Sequence, residues 1–182
     1  MIADIGTGDG RAVLARAAAE PASRVIGVDA APWAMAEASR RAARRGPANA
    51  IFLAAGAAEL AATCLPGRMD LVTVTFPWGS LLRGMLGLEP AVLAGVAALV
   101  GSGGRVEVLA SIMPSDRVDG VGALDAACEP AIRCAWAGVG LELMSMRPAT
   151  GAEIADSRSS WARRLDPARG ARPVWRLDLC GP

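Results

Sequence analysis

The chain has 182 residues, more than half of them apolar, and a formal net charge of +1. This length suits one domain with a buried core, and no apolar run reaches the roughly 20 residues of a membrane-spanning helix. The charge balance alone neither favours nor excludes a nucleic-acid partner. No signal peptide is apparent, so we expect a single domain over residues 1–182, monomeric and cytoplasmic.

Metal and disulfide sites are not indicated. The chain has no histidine, and its four cysteines form no CxxC pair, which excludes a Cys/His zinc site. A disulfide framework is also unexpected in a cytosolic enzyme of this size. We therefore expect no metal, and plain thiols in or near the core, at Cys64, Cys128, Cys134 and Cys180.

Strand-like and helix-like patterns alternate along the chain. Repeated units of this kind predict an α/β fold with a mostly parallel sheet and helices on both faces. Ligands of such sheets bind beyond the carboxyl ends of the strands. The predicted elements are strand 2–5, helix 11–19, strand 24–28, helix 31–45, strands 50–54 and 69–75, helix 89–100, a glycine-rich break at 101–104, strand 105–111, helix 122–137 and strands 141–146 and 174–179.

A glycine-rich turn, DIGTGDG, follows the first predicted strand. Its three glycines are Gly6, Gly8 and Gly10. Because glycine has no Cβ, such a turn lets the backbone pass close to a ligand. The spacing differs from the dinucleotide fingerprint GxGxxG, whose third glycine would fall at Arg11. Asp4 could pair with the ammonium of a methionine moiety, whereas it would repel a pyrophosphate.

Acidic residues also follow the next two predicted strands. Asp29 ends the second strand, where a carboxylate can accept both hydroxyls of a ribose. After the third strand, Ala58 and Glu59 could meet an adenine. Taken singly, such an acid is often a helix N-cap or a surface residue. Three acids after three consecutive strands together predict S-adenosylmethionine (AdoMet) as the cofactor.

The fourth predicted strand runs into the sequence TFPWGSLLRG, which begins at Thr75. Phe76 and Trp78 could form a platform on which a flat base stacks. The alternative is that both rings cap the core. A tryptophan between proline and glycine on a loop favours the functional interpretation.

Five motifs resemble one family, the aminoglycoside-resistance 16S rRNA methyltransferases of the KamB and NpmA type, which modify N1 of adenine 1408. The motifs are DIGTGDGR (4–11), GVDA (27–30), AAEL (57–60), FPWGSLLRG (76–84) and SSWARRL (159–165). The resemblance implies a class I AdoMet-dependent methyltransferase fold (Rossmann-like) with a seven-stranded sheet. Members of this family normally carry a longer N-terminus, so the resemblance also implies a shortened first strand.

The resemblance assigns roles to particular residues. Asp4, Gly6, Asp29, Ala58, Glu59 and Ser159 would bind AdoMet. Trp78 and Trp161 would sandwich the flipped adenine, and Phe76 would shape the pocket. An inserted linker at 149–173 would contact the RNA of the 30S subunit, with its phosphates gripped by Arg164, Arg169 and Arg172.

Other interpretations stay open. A small-molecule AdoMet methyltransferase would carry a lid rather than an arginine-rich linker, and a non-catalytic remnant would bind cofactor or RNA only. A nicotinamide-linked enzyme is the weakest alternative because of the glycine spacing. A second basic run is most simply a solvated helix face, at Arg40, Arg41, Arg44 and Arg45.

Overall fold

The computed structural model describes residues 1–63, 65–162 and 172–181. The predicted thiol at Cys64 and the predicted RNA contacts Arg164 and Arg169 lie outside these residues. The strands are β1 (Ile2–Ile5), β2 (Val25–Asp29), β3 (Ala50–Ala54), β4 (Met69–Thr75), β5 (Val100–Ala110), β6 (Glu142–Pro148) and β7 (Trp175–Cys180). The α-helices are α1 (Arg11–Ala19), α2 (Pro32–Arg45), α3 (Gly79–Met85), α4 (Pro90–Ala98), α5 (Glu129–Ala137) and α6 (Gly151–Asp156).

The seven strands form one sheet in the order β3-β2-β1-β4-β5-β7-β6. Strands β1 to β5 pair in parallel, and β7 runs antiparallel between β5 and β6. The predicted α/β architecture is therefore confirmed, with one antiparallel hairpin. The strand order reverses between β1 and β4, and ligands bind at such a switch point.

Strand β1 lies at the centre of the sheet and pairs with β2 and β4 along all four of its residues. Ala3 and Ile5 are buried in the main core, and Ile2 is buried in a second cluster on the opposite face. An apolar strand buried on both faces is expected at the middle of a parallel sheet. Its carboxyl end delivers the glycine turn to the switch point.

The two faces of the sheet are covered unequally. Helices α3, α4 and α5 pack over the main core, where the Trp136 indole donates to the carbonyl oxygen of Met85 at 3.1 Å. On the other face, the smaller cluster contains Val13 and Ala17 of α1 together with Phe52. Over β5 and β7 this second face carries polar side chains instead, among them Glu107 and Arg176, which pair at 3.2 Å.

Two sequence predictions are corrected. Residues 101–104 continue strand β5 rather than breaking the chain, because Gly101 and Gly104 let neighbouring backbone come close; a Cβ on Gly104 would lie 2.5 Å from the carbonyl oxygen of Met69. The helix predicted over 122–137 begins only at Glu129. Asp125 caps a short 3-10 turn before it by accepting from the N–H of Ala127, and Pro130 occupies the first turn of α5, a favoured position for proline.

Helices α3 and α6, of seven and six residues, are absent from the sequence prediction. Within the part of the chain that the structure describes, no single helix is long and apolar enough to cross a membrane. One pair, α3 with α4, meets that criterion jointly, with a bend of 76° between its members.

Gly95 lies where α4 meets the short 3-10 helix at Ala57–Ala62. A Cβ at this position would overlap the carbonyl oxygen of Ala57. We expect Gly95→Ala to lower the free energy of unfolding by about 1–3 kcal/mol, measured by urea denaturation. Gly122→Ala is the control, because its Cβ would have no neighbour within 4 Å. Equal unfolding midpoints for the two variants would contradict this packing.

Candidate active site at the carboxyl edge of the sheet

The glycine turn after β1 is shaped by its glycines. Gly6, Gly8 and Gly10 all have positive φ angles, of 74°, 57° and 68°. The N–H groups of Gly6 and Thr7 donate to the carbonyl oxygen of Val28 at 2.8 and 3.0 Å. This pairing holds the turn against the end of β2. The turn therefore lies at the switch point, as the sequence predicted.

The three glycines divide into two roles. Gly6 and Gly8 line a cleft above the sheet, whereas Gly10 is not among its lining residues. A Cβ at Gly10 would lie 2.6 Å from the ring of Phe52 and 2.7 Å from the Cβ of Ala38. Gly10 therefore brings α1, α2 and β3 together, and unlike the other two glycines of the predicted cofactor set it does not face the cleft.

Asp29 joins two loops at the cleft. Its Oδ2 accepts from the N–H of Gly8, and its Oδ1 accepts from the N–H of Ala31, both at 2.8 Å. Each carboxylate oxygen has lone pairs left for a further donor. Asp29 lines the cleft, so its position fits the predicted bidentate contact with a ribose.

Asp4 is a buried acid beneath the turn. Its Oδ1 accepts from the hydroxyl of Thr73 at 2.8 Å. Burial raises the pKa of Asp4 above its ordinary value, and the hydroxyls of Thr7 and Thr73 and the charge of Arg16 oppose that rise. A cation arriving beside Asp4 would stabilise its charged form. This is the behaviour expected of a carboxylate that receives the ammonium of a methionine moiety.

The residues after β3 are only partly placed as predicted. Gly56 and Ala57 line the cleft, but Ala58 and Glu59 are not among its lining residues. The carboxylate of Glu59 accepts from the N–H of Gly56 at 3.0 Å. This contact caps the 3-10 helix at Ala57–Ala62. Glu59 thus does not face the cleft, but it holds Gly56, which lines the cleft wall.

Aromatic rings gather at the opposite wall. The centroids of Trp78 and Trp161 lie 5.5 Å apart with the rings tilted by 49°, and Phe76 stacks on Trp161 at 6.4 Å. Phe76 is buried and has a φ of 50°, a costly conformation for a bulky residue. Its N–H donates to the carbonyl oxygen of Leu109 at 2.7 Å. Trp78 is 48% exposed.

The segment that carries Trp161 is ordered by a run of serines. The N–H of Trp161 donates to the hydroxyl of Ser159 at 3.1 Å, and the N–H of Ser159 donates to the hydroxyl of Ser157 at 3.3 Å. Both serines line the cleft. Ser159 was predicted here, whereas Ser157 was missed; the alternate spacing of the two serines was the signal that could have indicated it.

Together these walls enclose a cleft of about 410 Å³, within the usual range of ligand pockets. The hydroxyl of Thr7 is buried beside it, close enough to Asp4 to oppose the rise in the pKa of that carboxyl. Asp4, Asp29 and the glycine turn also suit the amino acid and ribose parts of AdoMet.

Arg172 is held within the protein. Its guanidinium donates to the carboxylate of Asp116 and to the hydroxyl of Ser111, the latter at 2.8 Å. Arg172 also lowers the pKa of Asp116 through its hydrogen bond. The predicted phosphate contact therefore has its donors already engaged, and in this arrangement Arg172 ties the end of the linker to the loop after β5.

The fold and cleft define a class I AdoMet-dependent methyltransferase. The profile of the family described as NpmA, 16S rRNA (adenine(1408)-N(1))-methyltransferase, matches residues 1–178, and the chain belongs to this family. A 16S rRNA (adenine(1408)-N(1))-methyltransferase from Streptoalloteichus tenebrarius is 33% identical to it over 189 residues, covering 97% of this chain and 85% of the relative. The enzyme of the same name from Streptoalloteichus hindustanus is 30% identical, with the same coverage.

Solved structures agree with this assignment. The crystal structure of the 16S rRNA methyltransferase KamB superimposes with a TM-score of 0.87 at 29% identity, covering 100% of this chain and 87% of that one. A variant of the 16S rRNA (adenine(1408)-N(1))-methyltransferase from Catenulisporales acidiphilia, solved with its cosubstrate SAM, gives 0.85 at 30% identity, covering 99% and 84%. The predicted family and AdoMet cofactor are confirmed at this level.

Proposed function

We propose that this chain transfers the methyl group of AdoMet to N1 of adenine 1408 in 16S rRNA, within the 30S subunit, and so confers aminoglycoside resistance. The pair of tryptophan rings at the mouth of the cleft carries this proposal. An aromatic pair beside an AdoMet cleft suits a flipped nucleobase. The relatives that carry this activity in their names support the choice of nucleotide. A monomer acting in the cytoplasm is part of the same proposal.

The reaction requires little acid–base chemistry from the protein. N1 of neutral adenine has an in-plane lone pair, so no residue has to remove a proton before attack. AdoMet supplies, when bound, a methyl group already activated on a sulfonium. What remains for the chain is to orient the two reactants and to hold the base out of its stack, which costs a few kcal/mol.

The tryptophan pair must open to admit a base. Stacked bases lie about 3.4 Å apart, so a base between two rings needs them about 7 Å apart, more than the observed 5.5 Å. Trp161 packs against the buried Phe76, whereas Trp78 is half exposed. We therefore propose that Trp78 moves to admit the adenine and then stacks on it.

We expect AdoMet affinity to fall as the pH falls. The ammonium of AdoMet favours ionised Asp4, whereas burial raises the pKa of this carboxyl in the free chain and so makes its protonation easier. Binding therefore weakens as the pH drops through the raised pKa of the free chain, by up to about tenfold per pH unit, and is constant above it until the α-amino group of AdoMet loses its own proton at about pH 8. Calorimetric titration with AdoMet across a pH series measures this dependence.

Asp4→Asn is the matched variant. It removes the titrating group, so binding should be weaker and independent of pH. The free protein should be at least as stable as the wild type at neutral pH, because a group whose folded pKa is raised lowers stability once it ionises. A wild-type pH profile in Asp4→Asn would contradict the role of Asp4.

In this proposal, Arg164 and Arg169 contact the phosphates of the rRNA. Because Arg172 is paired with Asp116, we assign it to holding the linker rather than to RNA. Arginine suits phosphate through its planar, forked donors. The clustering of arginines in the linker sequence supports this part of the proposal.

Transfer of labelled methyl from AdoMet to purified 30S subunits tests the function. We expect label in wild-type subunits and none in subunits that carry guanine at position 1408, whose N1 bears a proton. Equal labelling of both would overturn the choice of nucleotide. Labelling of neither would overturn the proposed substrate and would favour a small-molecule AdoMet methyltransferase.

A further inference from the structure

We propose that Glu153 is a positioning residue that fixes Trp161 in the base-binding pair by clamping helix α6 to the sheet. This inference rests on the proposed role of the two tryptophans. Glu153 is not part of the cleft lining, and it acts through other residues. It pairs with two arginines of the second sheet face, Arg147 and Arg176.

Two strands supply the clamp. Glu153 Oε1 accepts from Arg147 Nη2 on β6 at 2.5 Å and pairs with Arg176 Nη1 on β7 at 3.5 Å. Arg176 in turn pairs with Glu107 of β5 at 3.2 Å and with Asp178 at 2.7 Å. The side chains of Glu153 and Arg176 are only 21% and 20% exposed. The network therefore links three strands to α6 in a partly desolvated place.

Glu153 also caps the helix that it clamps. Its Oε2 accepts from the N–H of Thr150 at 2.8 Å, and the hydroxyl of Thr150 accepts from the N–H of Glu153 at 3.2 Å. A six-residue helix is far too short to be stable alone. The position of α6 is therefore set by these contacts and by Ile154, which packs in the cluster with Phe76 and Trp161.

The path from the clamp to Trp161 is short and continuous. The hydroxyl of Ser157 donates to the carbonyl oxygen of Ile154 at 2.6 Å. From Ser157 the serine contacts lead through Ser159 to the N–H of Trp161. A shift of α6 on the sheet would therefore carry Trp161 away from Trp78. The AdoMet contacts of Asp4 and Asp29 belong to β1 and β2 and would stay in place.

Glu153→Gln tests the clamp, with Glu129→Gln as the control. Glu129 pairs with Arg133 at 2.6 Å, and both residues are on α5. The control therefore also breaks a pair between glutamate and arginine, but at a place away from the linker. The expected result for Glu153→Gln is a fall of about ten- to a hundredfold in the single-turnover rate of methyl transfer, as misplacement by 1 Å produces. AdoMet affinity should fall much less than the rate, because Asp4 and Asp29 keep their places and Ser159 is the one predicted cofactor residue on the shifted segment. Glu129→Gln should match the wild type in both.

A spectroscopic readout separates positioning from general loss of structure. Two tryptophan rings in contact give an exciton couplet in the circular dichroism spectrum, and Trp78 with Trp161 is the tryptophan pair in contact among the described residues. Trp161→Ala identifies the couplet. We expect Glu153→Gln to lose it while keeping the melting temperature of Glu129→Gln.

Arg147→Met is a second variant in case Glu153→Gln fails to fold. It keeps the cap between Glu153 and Thr150 and removes one arm of the clamp, so it should also weaken the couplet and the rate. An unchanged couplet in the folded variants would overturn the inference, whatever happens to the rate. If wild-type protein does not methylate 30S subunits, the proposed function fails. The couplet still tests whether Glu153 fixes the position of Trp161.

Discussion

Replacing either tryptophan of the base-binding pair should slow methyl transfer strongly while leaving AdoMet binding intact. Stacking on an aromatic ring stabilises a bound base by about 1–3 kcal/mol, so Trp78→Ala and Trp161→Ala should each lower the single-turnover rate by roughly 5- to 150-fold. The cofactor contacts proposed for Asp4 and Asp29 are on the other side of the cleft. Quench-flow assays on 30S subunits and calorimetric titration with AdoMet measure the two quantities.

Trp33→Ala is the control for the tryptophan pair. Trp33 is 78% exposed on α2 and does not line the cleft, so its loss removes an indole of equal size without touching the proposed site. Its rate should equal that of the wild type. If Trp78→Ala and Trp161→Ala also kept the wild-type rate, the sandwich would be wrong.

The second large effect is expected at Asp29. Asp29→Ala removes the acceptor proposed for the ribose and also frees the N–H groups of Gly8 and Ala31. Loss of a charged hydrogen bond costs about 1.5–3 kcal/mol, so the Kd for AdoMet should rise by roughly 10- to 150-fold. Isothermal titration calorimetry measures it directly.

Asp125→Ala is the matched control for Asp29. Asp125 makes the same kind of local contact, with its Oδ1 accepting from the N–H two residues ahead at 2.9 Å, but it lies in the loop before α5. Its removal should leave the Kd unchanged. An unchanged Kd in Asp29→Ala would show that the ribose binds elsewhere.

Much of the sheet could be predicted from the sequence. Strands β1, β3 and β4 have the predicted bounds, because glycine or proline follows within two residues of the end of each strand. The glycine-rich start of β5 could not be recognised, since its strand conformation depends on backbone contacts made by Gly67 and Met69, distant in sequence. Helices α3 and α6 are too short for a periodic pattern.

The residues of the candidate site were likewise only partly predictable from the sequence. Asp4, Gly6, Gly8 and Asp29 lie together as predicted, because the carboxyl ends of parallel strands meet at one edge. Glu59 was ambiguous, since an acid at the third position of a helix can also accept from the N–H of the N-cap residue, and that is the contact it forms with Gly56.

Two further features could not be derived from the local sequence pattern. Trp161 came only from the family resemblance. The clamp at Glu153 could not be predicted, because its arginine partners are on β6 and β7, and no local pattern specifies which strands become neighbours.

Reverse transcription across the decoding site tests the central proposal most directly. Purified protein would be incubated with 30S subunits and AdoMet, and the extracted 16S rRNA copied from a downstream primer. Because a methyl group on N1 blocks the Watson–Crick edge, we predict a new stop at adenine 1408 that needs AdoMet and is strongly reduced with Trp78→Ala. Full-length copying through 1408 by wild-type protein shown to bind AdoMet would contradict the proposed function.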